Sequence, residues 1–261
     1  MKNIFQQMIH KRPIAKLARQ VKAAVEALGD PVPILIVSYN NGVYVDHCVR
    51  QFNAQSIQPV VIDNASNDAE TLDILAAIAA TGKALVVRSP VNLGARAGFH
   101  GPVYDILPET FGYTDPDLLF NECLPADFIH QLIGVCDQFK CFKAGFALPY
   151  QVQYGLTDKR TKTRMGNIVP CERLMTVAEW EARFWTKPLK HDQLELYAAS
   201  IDTTFAIYHK QYYNGDFFDA VRVAGDFSAL HMPWFPELDL LSPQRRSAYL
   251  KGNKSSNWVA S

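Results

Sequence analysis

The chain has 261 residues, 48% of them hydrophobic, enough to bury a full core in one large domain or two closely fused halves. Its 26 basic and 26 acidic residues and a pI near 7.0 leave no global field for nucleic acid or any other polyanion. The five cysteines are odd in number and contain no C-x-x-C pair, which argues against a disulfide framework or a zinc site and for reduced thiols in the cytoplasm.

Residues 1–28 carry Lys2, Lys11, Arg12, Lys16, Arg19 and Lys22 against Glu26, while Ile14, Leu17, Val21, Ala24 and Leu28 recur at helical spacing. That pattern is an amphipathic helix with a basic outer face, docked on the domain or a partner subunit, or lying peripherally against the inner face of a membrane. No apolar run reaches the roughly 20 residues of a spanning helix, and no secretion signal opens the chain, so the sequence reads as soluble and cytoplasmic.

After Pro31 and Pro33, Ile34-Leu35-Ile36-Val37 is a strand buried on both faces, ending in the polar tip Ser38-Tyr39-Asn40-Asn41. Val45, Cys48, Val49 and Phe52 make residues 43–54 an amphipathic helix; 59–63 is a second strand with an acidic tip. Leu72, Leu75 and Ile78 mark a second helix ended by Gly82, and 84–87 is a third strand. This alternation predicts an α/β fold with a mostly parallel central sheet flanked by helices.

Further along, 125–139 reads as a helix with Pro125 in its first turn, 142–150 and 201–208 as strands, and Trp180 to Trp185 as an aromatic helix. Residues 157–164 read as a mobile basic loop, and the polar tail after Pro243 as a surface extension. The expected division is an N-terminal helical extension at 1–30, a nucleotide-binding half at 31–120, an acceptor half at 121–240 and a C-terminal extension at 241–261.

In open α/β sheets, ligands bind beyond the carboxyl ends of the strands, where Ser38, Tyr39 and Asn40 sit. Asp115-Pro116-Asp117 follows three such tips, and two acids one residue apart at a strand end suit Mn²⁺ or Mg²⁺, with positions left for water and phosphate. The same spacing recurs at Asp68/Glu70, Glu179/Glu181 and Glu237/Asp239, so position, not the pair alone, singles out Asp115 and Asp117. No phosphate loop and no complete G-x-G-x-x-G is present, which disfavours NTPase and dehydrogenase readings.

The ordered set Ile36-Val37-Ser38-Tyr39-Asn40, Val61-Ile62-Asp63-Asn64-Ala65-Ser66, Asn92-Leu93-Gly94 and Asp115-Pro116-Asp117 resembles family 2 glycosyltransferases with the GT-A fold, over roughly residues 32–120. The resemblance implies transfer of a sugar from a UDP-, dTDP- or GDP-linked donor to a saccharide or lipid-linked acceptor, with inversion and a divalent cation. It implies that Tyr39 and Asp63 hold the base and ribose, that Asn92, Gly94 and Arg96 lie along the donor, and that Asp115 and Asp117 bind metal. The family's glycine-rich continuation is replaced here by Gly94-Ala95-Arg96-Ala97-Gly98, whose guanidinium is placed to pair with a phosphate.

Inversion needs a base opposite the leaving group, for which Asp202 and Asp226 are the candidates, Asp202 being favoured. His231 is a candidate third metal ligand, and Trp180, Trp185, Trp234, Tyr212 and Tyr213 are candidates for an acceptor platform. The rival functions are a nucleotidyltransferase, which normally carries a cationic loop where Ser38-Tyr39-Asn40-Asn41 stands, and a non-catalytic nucleotide- or sugar-binding module.

Overall fold

The computed structural model describes residues 2–157, 160–164 and 172–252. Helix α1 (Lys2–Leu28) leads into β1 (Ile34–Ser38), α2 (Gly42–Ala54), β2 (Val60–Asp63), α3 (Ala69–Ala80) and β3 (Leu85–Arg88). A short helix α4 (Gly101–Ile106) precedes β4 (Thr110–Thr114) and β5 (Leu118–Phe120), followed by α5 (Phe128–Phe139) and β6 (Lys143–Phe146). The remaining elements are β7 (Arg160–Arg164), β8 (Glu172–Thr176), α6 (Val177–Glu181), β9 (Pro188–Leu189), β10 (Leu196–Ala198), β11 (Ala206–His209), β12 (Ala220–Val223), β13 (Ala229–His231) and α7 (Pro243–Gly252).

Nine strands form one sheet in the order β3-β2-β1-β4-β11-β6-β12-β10-β9. The pairings β1 with β2, β1 with β4, β2 with β3 and β6 with β12 are parallel, and β11 and β10 run against the other seven strands. The fold is therefore α/β with a large, mostly parallel sheet. The apolar run of β1 explains its central place: Ile34 and Ile36 face one layer, Leu35 and Val37 the other, and all four are buried. The first layer holds Val45, Val49 and Phe52 of α2, Leu75 and Ile78 of α3 and Phe128 and Leu132 of α5. The second holds Leu17 and Val21 of α1 and Val103 of α4, so the leading helix docks on the domain through its apolar stripe. None of the helices among the described residues is long and apolar enough to cross a membrane.

Several expected boundaries shift. The helix expected from residue 125 begins at Phe128, because Pro125 closes a turn to the Phe128 amide instead of entering the first helical turn. The strand expected at 142–150 is confined to 143–146, and that at 201–208 to 206–209, with 201–205 a loop. Residues 160–164, read as part of a loop, form β7 paired antiparallel with β8, since Arg-Thr-Lys-Thr-Arg alternates with the two-residue period of a strand; residues 158 and 159 lie outside the described set. The polar tail is helical over Pro243–Gly252: ion pairs from Arg245 to Glu70 and from Arg246 to Asp239 anchor it without an apolar stripe. Cys48, Cys123, Cys136 and Cys141 are free thiols, and Cys171 lies outside the described residues.

Candidate active site at the carboxyl edge of the sheet

The tips of β1 and β2 are stapled together. Asn40 takes a left-handed backbone (φ 51) and donates its amide to Ser66 Oγ at 2.9 Å, while its side-chain oxygen accepts the amides of Asn67 and Asp68. Ser38 Oγ donates to Asn41 Oδ1 at 2.8 Å. Ser38 and Asn40 thus spend their polar atoms on shaping the tip, and Tyr39 between them is half-buried. Asp63 is buried; its Oδ1 accepts the Ser66 amide at 2.9 Å and its Oδ2 lies 3.2 Å from Arg88 Nε.

Asn64, to which sequence reasoning assigned no role, organises the next loop. Its Oδ1 accepts the Leu93 amide at 2.7 Å, and its Nδ2 donates to Asn92 Oδ1 and to the Gly94 carbonyl, each at 2.9 Å. Gly94 has φ 80, a conformation glycine adopts without the Cβ clash of other residues. That turn delivers Arg96 across the sheet. Arg96 Nε and Nη2 donate to Asp202 Oδ1 at 2.9 and 2.7 Å, and its guanidinium lies 4.3 Å from the Phe217 ring centroid and 4.9 Å from that of Phe218.

Asp115 leaves β4, the strand next to β1. Its amide donates to the Thr203 carbonyl at 2.8 Å, and its Oδ2 accepts from Thr203 Oγ1 at 2.5 Å. Because β11 runs against β4, the loop before it, carrying Asp202 and Thr203, arrives at the same edge as the ends of the parallel strands. Burial, then the neighbouring Asp117 charge, pushes the Asp115 carboxyl well above the usual carboxylate range. Asp117 Oδ2 lies 3.4 Å from His231 Nε2, which β13 brings beside β5. Asp117 Oδ1 and His231 Nδ1 are buried and have no hydrogen-bond partner among the described residues. His231 also packs on Trp234 with centroids 4.6 Å apart.

These residues fit a divalent cation in one respect: an orphaned buried carboxylate oxygen beside a second, enclosed carboxylate is a site short of positive charge. No ready-made cluster of three or more His, Cys, Asp or Glu capable of holding a metal occurs among the described residues. Such a cluster is not required, since Mg²⁺-type sites for phosphate take one or two carboxylates and complete their shell with phosphate and water.

Asp226, in the turn after β12, is exposed at the same edge. The five candidate platform aromatics disperse over separate neighbours. Trp180 packs on Phe184, Trp185 on Tyr197, Tyr212 on His209, Tyr213 on Phe142 and Trp234 on His231. Tyr212 and Tyr213 follow the far end of β11, whose His209 pairs with Thr110 at the start of β4, so they lie at the opposite edge from Asp115. Two further features escaped the sequence. Lys143 is fully buried, with Nζ donating to the Asp202 carbonyl at 3.3 Å and lying 3.9 Å from the Phe217 centroid; burial lowers its pKa to about 7. Arg222 and Glu181 form a buried ion pair at 2.7 Å beneath Phe184, and burial raises the Glu181 pKa.

No family model and no curated protein matches the chain. Solved structures do show similarity. Mannosyltransferase PcManGT from Pyrobaculum calidifontis, in complex with GDP-Man and Mn²⁺, aligns with TM-score 0.46 and 16% identity over 84% of this chain and 69% of its own. GalNAc-T7 with UDP, GalNAc and Mn²⁺ gives TM-score 0.45 and 14% identity over 84% of this chain and 47% of its own. S. aureus TarS 1-349 gives TM-score 0.38 and 13% identity over 69% of this chain and 47% of its own. The chain thus spans about half the length of the last two structures.

Proposed function

We propose that the protein is a glycosyltransferase that moves a sugar, with inversion, from a nucleotide-diphosphate donor to a saccharide or lipid-linked saccharide. The observation that carries this reading is the carboxylate pair Asp115 and Asp117 at the carboxyl edge of a central strand, one enclosed and the other with an orphaned oxygen, across from the Arg96 guanidinium. Asp115 and Asp117, with His231, would hold Mn²⁺ or Mg²⁺, which supplies charge neutralisation for the departing diphosphate. Tyr39 and Asp63 would hold the base and ribose of the donor. Two of the guanidinium's five N–H groups are used on Asp202, leaving three for phosphate oxygens.

The reaction forms a bond from the sugar's anomeric carbon to the acceptor oxygen as the bond to the diphosphate breaks, and the diphosphate departs with that electron pair. A base takes the acceptor hydroxyl proton. Asp226, exposed and outside the Arg96 pairing, fills that role better than Asp202, whose Oδ1 is engaged. The nucleotide-binding half at 31–120 and the acceptor half at 121–240 meet in one sheet, at β4 and β11. The exposed stripe Arg12, Lys16, Arg19 and Lys22 on α1 offers a peripheral contact with an anionic membrane surface.

The test is a panel of UDP-, dTDP- and GDP-sugars, with and without Mn²⁺, scored by nucleotide release and repeated with Asp115→Asn and Asp117→Asn. Metal-dependent release lost in both variants supports the reading; release at the unsubstituted rate in the variants overturns it. A binding module would retain nucleotide without releasing product.

A further inference from the structure

Arg96 and Asp115, the two groups assigned above to the diphosphate site, come from the first half of the chain, and one dipeptide of the second half holds both. Asp202 takes the Arg96 guanidinium on Oδ1, and Thr203 takes Asp115 through two hydrogen bonds, side chain to carboxylate and amide to carbonyl. The dipeptide is itself pinned from beneath: Lys143 Nζ and Tyr208 Oη both donate to the Asp202 carbonyl, at 3.3 and 3.1 Å. Lys143 and Tyr208 are fully buried, so the support is rigid, whereas the Arg96–Asp202 pair above it is exposed by 42% and 55%. A pair that exposed contributes little to stability. Its geometry, with two donors on one oxygen and Phe217 and Phe218 beside the guanidinium, restricts where the remaining Arg96 donors point.

We propose that Asp202-Thr203 is the positioning element of the diphosphate site, aiming Arg96 and Asp115 at the leaving group from the acceptor half, and that Asp202 is not the catalytic base. The inference deepens the glycosyltransferase reading and rests on it. Two charge-assisted hydrogen bonds from Arg96 fix Asp202 Oδ1 and orient the carboxylate toward the guanidinium, which is the work of a positioning group, and only Oδ2 is left outside the pairing. Removing Asp202 releases Arg96, and removing the Thr203 hydroxyl releases one oxygen of Asp115.

The two roles separate in the binding of the leaving group alone, because loss of a base slows transfer without weakening the nucleoside diphosphate. Titration calorimetry of UDP and GDP with Mn²⁺ onto the full chain is compared among the unsubstituted protein, Asp202→Ala, Arg96→Ala, the double variant, Thr203→Val and Thr203→Ser. We expect Asp202→Ala to weaken nucleoside diphosphate binding on the order of tenfold, with no further loss when it is added to Arg96→Ala. Thr203→Val should weaken binding while Thr203→Ser, which keeps the hydroxyl, restores it. Thermal melting of each variant separates these effects from loss of fold. Binding within about twofold of the unsubstituted value in Asp202→Ala, together with lost transfer, overturns the inference and returns Asp202 to the role of base. If the unsubstituted protein binds neither UDP nor GDP with Mn²⁺, the glycosyltransferase reading falls and this inference with it.

Discussion

Asp117 and His231 stand 3.4 Å apart through Oδ2 and Nε2, and the remaining polar atom of each side chain is buried without a partner among the described residues. The pair joins the end of β4 to β13, which pairs with β5 through Leu118 and His231.

The crowding of Asp117 against Asp115 costs the protein stability when no cation is present, since two enclosed carboxylates repel. Asp117→Asn should therefore raise the melting temperature of the metal-free protein, by an amount corresponding to about 1 kcal/mol, and abolish the added stabilisation produced by Mn²⁺. Calorimetric melting with chelator and with millimolar Mn²⁺ checks both halves. A variant less stable than the parent in chelator, yet still stabilised by Mn²⁺, would contradict the assignment.

Lys143 predicts a pH dependence with a definite sign. Burial lowers its pKa from 10.5 to about 7, so between those values the unfolded chain holds a proton that the native chain has released. Stability accordingly rises with pH across that window, by up to roughly 5 kcal/mol; below it both states are protonated and the contribution is flat. Lys143→Met keeps most of the side-chain volume, and Tyr208 Oη still satisfies the Asp202 carbonyl. The variant should be more stable than the parent at pH 7 and lose most of this slope, as read from urea midpoints at pH 6, 7, 8 and 9.

The buried pair Arg222 and Glu181 behaves asymmetrically. Arg222→Met leaves the Glu181 carboxylate enclosed and unpaired, at a cost of about 3–5 kcal/mol. Arg222→Met combined with Glu181→Leu should recover most of that loss. Denaturant unfolding of the two singles and the double forms the cycle; a double variant as unstable as Arg222→Met alone contradicts the account.

The parts of the fold legible in the sequence are those where burial imposes a period. Ile34 to Val37 read as a two-faced strand because both layers of the core require apolar side chains there, and residues 43–54 and α1 read as helices because one face alone is buried. The order of motif tips located Asp63, Arg96 and Asp115 along the sheet edge. What stayed hidden is held by polar contacts that leave no periodic trace. Helix α7 is anchored by ion pairs from Arg245 and Arg246, Asn64 looks like any turn-forming asparagine until Leu93 and Asn92 are seen against it, and a lysine at 143 carries no sign of burial. Asp202 was singled out for its chemistry, but its partner is 106 residues away in sequence, a relationship only the antiparallel course of β11 creates.

The most direct measurement is a crystal structure of the protein with Mn²⁺ and a nucleoside diphosphate, with anomalous data collected at the manganese edge. The account predicts an anomalous peak bonded to Asp117 or Asp115 and to diphosphate oxygens, with Arg96 donating to the same diphosphate. A bound diphosphate whose metal lies away from both carboxylates, or no metal at all beside them, would contradict it.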